Sequence, residues 1–233
     1  MLIQALQGGF TRESFIQLLL MIPIILISLT VHECSHGYAA YLCGDMTARN
    51  LGRLTLNPIK HLDPIGTLMM LFFGFGYAKP VPINMRNFRK PRRDLCLVSI
   101  AGPLSNLVLA FVWLMIYRFS LTVVINTGDV AVMTSNFLQM WIVFSGLFVS
   151  LNIGLAVFNL IPIPPLDGSR LLSVILPPKI AYKMAQYERY IMLAVFVLLW
   201  LGKLDGIIVF FRNGLLQGMN FLLDFIPIFL KIG

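Results

Sequence analysis

Apolar positions in this chain do not alternate with polar ones; they come in long, nearly unbroken runs. From Phe15 to Val31 only Gln17, Pro23, Ser28 and Thr30 depart from large apolar side chains. A helix that is apolar on every face has no aqueous side, and a bilayer core takes about 20 such residues to cross. The pattern predicts a membrane helix from about Glu13 to Leu42, with Gly44 as its stop. Pro23 is tolerated inside such a helix. Comparable runs predict a second helix over Leu95–Ile116 and a third over Phe137–Phe158. A fourth starts at Tyr190–Trp200 and reaches Phe211 if Lys203 and Asp205 are accommodated. Leu215–Leu230, with Asp224 and Pro227 inside it, reads as a fifth span or as an amphipathic helix on the surface.

Two stretches break the helical pattern. Asn50–Asp63 alternates and then turns at Asn57-Pro58 and Asp63-Pro64, which predicts a short strand followed by turns. Ile65–Asn84 has an apolar core too short to span, followed by Gly74, Gly76, Pro80 and Pro82. It reads as a re-entrant loop, permitted at membrane depth only beside protein or a watery cavity, with Gly74 and Gly76 as candidate substrate-positioning residues. Such a loop could offer a strand edge to an extended substrate; a surface loop dipping into headgroups is the alternative. The expected fold is an all-α polytopic membrane protein with about four or five transmembrane helices and a re-entrant β-type loop after the first. One domain is expected over 1–233, with its core at 13–168 and C-terminal helices at 184–233.

Composition agrees: 58% of residues are hydrophobic, 12% are charged, and the mean hydropathy is +0.83. Met1–Gly9 carries no basic residue, and the apolar run ends in a polar cluster instead of a small-residue cleavage site, so the first helix is expected to be retained and not to be a secretory signal. Cys34, Cys43 and Cys96 have no metal-type spacing and read as reduced thiols. The net charge is +8, and nine of the eighteen basic residues lie between Gly44 and Arg93. Arg170, Lys179, Lys183 and Arg189 fall in a later loop on the same side of two helices, while Thr122–Ser135 holds Asp129 and no basic residue. The positive-inside rule puts the basic side in the cytoplasm. Topology therefore accounts for the charge, and no nucleic-acid partner is expected.

One polar cluster stands inside the first apolar helix: His32-Glu33-Cys34-Ser35-His36. On a helix the two histidines lie one turn apart, about 6 Å along the axis, and share a face. This is H-E-x-x-H, in which the histidines hold Zn²⁺ and the glutamate, here Glu33, is general base to a water that the metal activates. Ionisable residues within a membrane span are expensive and mark function. Cys34 falls on another face and is not expected to be a ligand.

The third helix ends in Asn159-Leu160-Ile161-Pro162-Ile163-Pro164-Pro165-Leu166-Asp167-Gly168. Its prolines forbid a continuing helix and hold the segment extended, so Asp167 is expected at the depth where that helix leaves the membrane, level with His32 and His36. Two histidines, an aspartate and one open position make a catalytic zinc site for a single ion. Asn159 is a candidate oxyanion donor or a helix C-cap. Asn106, near the small residues Ala101-Gly102-Pro103, is a candidate substrate or oxyanion residue and a candidate partner across to the first helix, although close packing alone would explain that group. His61 could serve the site or simply be a solvated or capping loop residue.

The two motifs together, H-E-x-x-H and N-x-x-P-x-P-x-x-D-G, each at a membrane edge, resemble those of the site-2 protease family of intramembrane zinc metalloproteases. The resemblance covers about residues 15–168. It implies a zinc metalloendopeptidase with His32, His36 and Asp167 as ligands, Glu33 as base and Asn159 at the substrate or oxyanion. It also implies that 65–84 corresponds to a membrane re-entrant β-loop and that the substrates are single-span or other membrane proteins. No PDZ insertion or regulatory domain is visible, as in the short, stand-alone branch. A metal transporter and a non-proteolytic helix binder are the rival readings; a transporter has less need of Glu33. The expected location is the prokaryotic cell membrane, with the active site towards the cytoplasm.

Overall fold

The computed structural model describes residues 11–73, 78–127 and 135–225. Gly74 and Gly76 lie outside them. Among the described residues four helices are long and apolar enough to cross a membrane: α1 (Arg12–Leu42), α4 (Pro91–Thr127), α5 (Asn136–Leu160) and α9 (Asp205–Asp224). Between α1 and α4 lie α2 (Thr47–Asn50) and α3 (Pro64–Phe73); between α5 and α9 lie α6 (Asp167–Ile175), α7 (Pro178–Gln186) and α8 (Glu188–Trp200).

The surface and interior are arranged as a lipid solvent demands. On α4, Leu97, Ile100, Leu104, Val108, Val112, Ile116 and Phe119 recur every three or four residues and are exposed, forming an apolar stripe with no aqueous partner face. Ser28, Thr30, His32, Glu33, His36, Asn106, Ser145 and Asn152 are buried. Polar groups that cannot reach water are brought together inside the bundle, where they can bond to one another.

The helix α5 is the centre of the packing. One of its faces joins α1 and α3 in a cluster of Met21, Ile24, Ile25, Leu29, Met70, Phe148 and Leu155. Another joins α4 and α9 through Ala110, Leu114, Val149, Ile153, Val157, Met219 and Leu223. Trp113 of α4 stacks on Phe148 of α5 with ring centroids 4.5 Å apart.

Helix ends follow local chemistry. Thr11 caps α1, its hydroxyl accepting from Ser14 N–H at 3.2 Å. At the other end Gly44 has φ 107°, and the N–H groups of Gly44 and Asp45 return to the carbonyls of Tyr41 and Ala40 at 3.0 and 2.9 Å. That paired return needs a left-handed residue, which glycine supplies.

Several expectations are corrected. No strand occurs among the described residues, so Asn50–Asp63 is not one. The stretch instead starts at the last residue of α2, turns at Gly52 and forms a 3₁₀ turn at Pro58–Lys60 capped by the Asn57 side chain. Pro64–Phe73 is helical: Pro64 sits at its first position, and Asp63 Oδ1 accepts from the N–H groups of Ile65 and Gly66 at 3.0 and 2.9 Å. The glycines and prolines that argued against a helix all follow it. The fourth apolar run does not continue to Phe211; α8 ends at Trp200, and Gly202 turns the chain at φ 68°. At thirteen residues α8 rises about 20 Å, short of a bilayer core. Among the described residues the last candidate span is Asp205–Asp224, which takes in the first part of Leu215–Leu230; residues 226–230 of that stretch lie outside the described residues, and Arg118 of α4 is paired to Asp224 at 2.7 Å.

Candidate metal centre

Helix α1 brings two imidazoles to one face: the rings of His32 and His36 lie 4.7 Å apart, centroid to centroid, with planes crossed at 82°. Helix α4 passes them at Gly102. A Cβ there would overlap His36 Nε2 and lie 2.7 Å from His32 Cε1 and Nε2, so the backbone approaches this closely only because residue 102 has no side chain. The Ala101-Gly102-Pro103 group thus makes room for a pair of rings as well as for a helix.

Asp167 comes from the far end of the sequence. After α5 ends at Leu160, the proline-rich turn runs to Leu166, and α6 opens on Asp167. The residue is the first of a helix and not the tip of an extended segment, a place where a carboxylate is favoured by the helix dipole. Gly168 packs against the end of α5, where any Cβ would overlap the Leu160 carbonyl oxygen.

Three potential ligand atoms converge. His32 Nε2 and His36 Nε2 are 3.1 Å apart, and Asp167 Oδ2 is 3.2 Å from the first and 3.1 Å from the second. All three residues are buried, at 5%, 4% and 8% exposure. His36 Nδ1 lies 2.7 Å from the Val98 carbonyl, which only accepts, so its proton is on Nδ1 and its Nε2 is a lone pair. His32 Nδ1 faces Asn106 Oδ1 at 2.6 Å in the same sense.

In the neutral rings, two lone pairs and a carboxylate oxygen therefore face one another without a proton between them. A cation relieves that repulsion. The ligands of a tetrahedral zinc with bonds of 2.0–2.1 Å are about 3.3 Å apart, close to the separations found here. The donor set and its spacing fit one metal ion.

Glu33 stands beside this triangle at 9% exposure, and its Oε2 accepts from the Val81 N–H at 2.8 Å. Val81 belongs to the non-helical segment Ala78–Asn84. That segment is tied by Lys79 N–H to the His61 carbonyl at 2.9 Å, by the Arg53 guanidinium to the Lys79 carbonyl at 2.9 Å, and by Asn84 N–H to Asp45 Oδ2 at 2.7 Å. Side chains and single backbone groups hold it, not a ladder, and Pro80 and Pro82 have no N–H to give.

The remaining candidates fall elsewhere. The Asn159 amide donates to the Leu155 carbonyl of its own helix at 2.9 Å. His61 is buried and bonded through Nε2 to the Thr55 carbonyl at 2.7 Å, holding the turn before α3; it is not among the converging donors. Cys34 is likewise outside the group. Sequence reasoning missed Asn152 and Ser28, fully buried beside Asn106. An amide in the middle of an apolar span was the available signal.

Comparison with known proteins bears on this site. The sequence model of Peptidase family M50 matches residues 20–202. The Bacillus subtilis protein named Putative zinc metalloprotease YwhC is 43% identical over 195 residues, 81% of this chain and 83% of its own. Putative zinc metalloprotease Rip2 of Mycolicibacterium smegmatis is 33% identical over 186 residues, 78% of this chain and 66% of its own. Putative zinc metalloprotease MJ0611 of Methanocaldococcus jannaschii is 31% identical over 110 residues, 47% of this chain and 49% of its own. No solved structure matches. The family match takes in His32, Glu33, His36 and Asp167 together, and on it this chain belongs to Peptidase family M50.

Proposed function

We propose that this protein is an intramembrane zinc metalloprotease of the site-2 type, a single membrane-embedded domain that hydrolyses peptide bonds within or near the transmembrane segments of other membrane proteins. The observation that carries the reading is the triangle of His32 Nε2, His36 Nε2 and Asp167 Oδ2 inside a bundle of spanning helices, with Glu33 adjacent. On this reading those three residues hold one zinc ion. Bound zinc supplies Lewis acidity, which polarises a carbonyl and lets water lose a proton near neutral pH.

The chain's own groups do the rest. Glu33 takes the proton from the attacking water and returns it to the departing amine. The Val81 N–H fixes one carboxylate oxygen and leaves the other for that proton. Asn159 keeps one amide hydrogen beyond the bond to Leu155 and offers it to substrate. A helical substrate hides its carbonyls in hydrogen bonds, so cleavage sites lie where Gly, Pro, Ser or Asn loosens the helix. The basic residues around α2 and α3 support a cytoplasmic orientation of this end in a prokaryotic cell membrane.

The test is a reconstituted assay with single-span substrates, comparing wild type with Glu33→Gln and measuring bound zinc in both. Cleavage by the wild type alone, with equal zinc, is expected. Equal zinc with cleavage by both variants would remove Glu33 from the chemistry, and zinc without any cleavage would favour a transporter or a helix-binding protein.

A further inference from the structure

A chain of buried amides leads away from His32. Asn106 Oδ1 of α4 is 2.6 Å from His32 Nδ1, and Asn106 Nδ2 is 2.8 Å from Asn152 Oδ1 of α5. Asn152 Nδ2 in turn is 2.9 Å from the Phe148 carbonyl and 2.9 Å from Ser28 Oγ of α1. Ser28, Asn106 and Asn152 are each 0% exposed, and Phe148 is 2% exposed. Water cannot substitute for any of these bonds.

The orientation of every amide follows from one group that cannot change. A backbone carbonyl only accepts, so the Asn152 atom beside the Phe148 carbonyl is its NH₂ and the other is its oxygen. That oxygen only accepts, so Asn106 must present its NH₂ to it. The oxygen of Asn106 then faces His32, and the ring must donate from Nδ1. A neutral imidazole that donates from Nδ1 has its lone pair on Nε2, the atom facing His36 and Asp167. We infer that Asn152 is a positioning residue that transmits the acceptor character of the Phe148 carbonyl through Asn106 and fixes His32 in the metal-ready tautomer.

The two histidines reach the same state by different routes. His36 is set directly by the Val98 carbonyl on α4, His32 indirectly by the Phe148 carbonyl on α5 through the side chains of Asn152 and Asn106. An Asn106 amide without Asn152 could turn over and give the ring a donor in place of an acceptor, moving the ring proton to Nε2. Groups that orient metal-binding histidines typically change metal affinity about 10–100-fold when lost. The inference rests on the zinc reading of the site, but its first readout needs no metal.

The chain has three histidines, so ¹⁵N-histidine labelling of the metal-free protein in detergent micelles gives a spectrum that can be assigned, with His61→Gln removing the residue outside the site. At a pH alkaline enough for the ring to be neutral, wild-type His32 is expected protonated at Nδ1 and bare at Nε2. A neutral wild-type His32 protonated at Nε2 and bare at Nδ1 overturns the inference without any variant. Asn152→Leu is expected to change the His32 signals, leave those of His36, and weaken zinc binding, measured by chelator competition, about 10–100-fold. The double variant Asn106→Asp with Asn152→Leu restores an acceptor that no longer depends on residue 152, so the His32 tautomer and zinc affinity recover. A role in packing alone predicts no recovery. If Asn152→Leu does not fold, Asn152→Ala takes its place in both variants. Failure of the wild type to bind zinc at all would strike the protease reading, while the tautomer spectrum would still decide this one.

Discussion

Gly102 of α4 and His36 of α1 are in such close apposition that a single methyl group on Gly102 would occupy the space of His36 Nε2. Two helices distant in sequence thus meet at the atom proposed to bind zinc. Gly102→Ala is expected to push the ring or the helix away, abolishing stoichiometric zinc binding and cleavage. Gly102 is buried, so the same overlap costs stability as well, about 1–3 kcal/mol as overpacking does, and zinc content is therefore read on variant protein shown to be folded. Full zinc content in the variant would show that the apposition is looser than described.

The Val81 N–H tests what Glu33 needs besides the metal. Val81→Pro removes the donor without changing charge, and the position already lies between Pro80 and Pro82. A hydrogen bond to a charged group is worth about 1.5–3 kcal/mol, and each 1.36 kcal/mol is tenfold in rate. A fall in kcat of about tenfold or more with unchanged zinc content is expected, read from steady-state cleavage and metal analysis. Unchanged kcat would mean that Glu33 is positioned by other means.

Asp45 gives a pH dependence outside the membrane spans. Burial pushes its carboxyl up, and bonds from the Thr47 hydroxyl, the Asn84 N–H, the Asn87 amide and the Thr47 N–H outweigh burial and hold it below its ordinary value. A carboxyl with a depressed folded pKa contributes stability that is complete above its unfolded value, about 3.9, and is lost as pH falls through the folded value. Wild type should therefore be more stable than Asp45→Asn at pH 7, the gap narrowing below about pH 4. Thermal melting in detergent at a series of pH values reads this directly; a gap independent of pH would exclude ionised Asp45 as its source.

The final helix can be tested as an integral part of the bundle. Leu223 of α9 is 0% exposed and packs in the cluster with Val149, Ile153 and Leu114. Leu223→Ala should cost about 2–5 kcal/mol, as buried leucine truncations do. A neighbouring exposed residue, Leu222→Ala, should change stability far less. Equal effects of the two would show that α9 is not seated as described.

How much of this was legible beforehand can be seen residue by residue. The lipid environment, the first three spans and the candidate site residues His32, Glu33, His36 and Asp167 were visible in the chain alone. A bilayer imposes a minimum run of apolar residues, and a metal-binding pair on a helix imposes a spacing of four; both are local constraints and leave local traces. The segments between spans were misjudged, Asn50–Asp63 and Pro64–Phe73 most clearly, because short apolar stretches suit either strand or helix and caps such as Asp63 decide between them. The tertiary structure alone decided what stands around the donors: Gly102 against His36, Val81 on Glu33, and Asn152 behind Asn106 and His32. Those relationships join residues 46 to 74 positions apart. No periodicity records them, because each depends on where two helices cross and which backbone group is left facing which side chain.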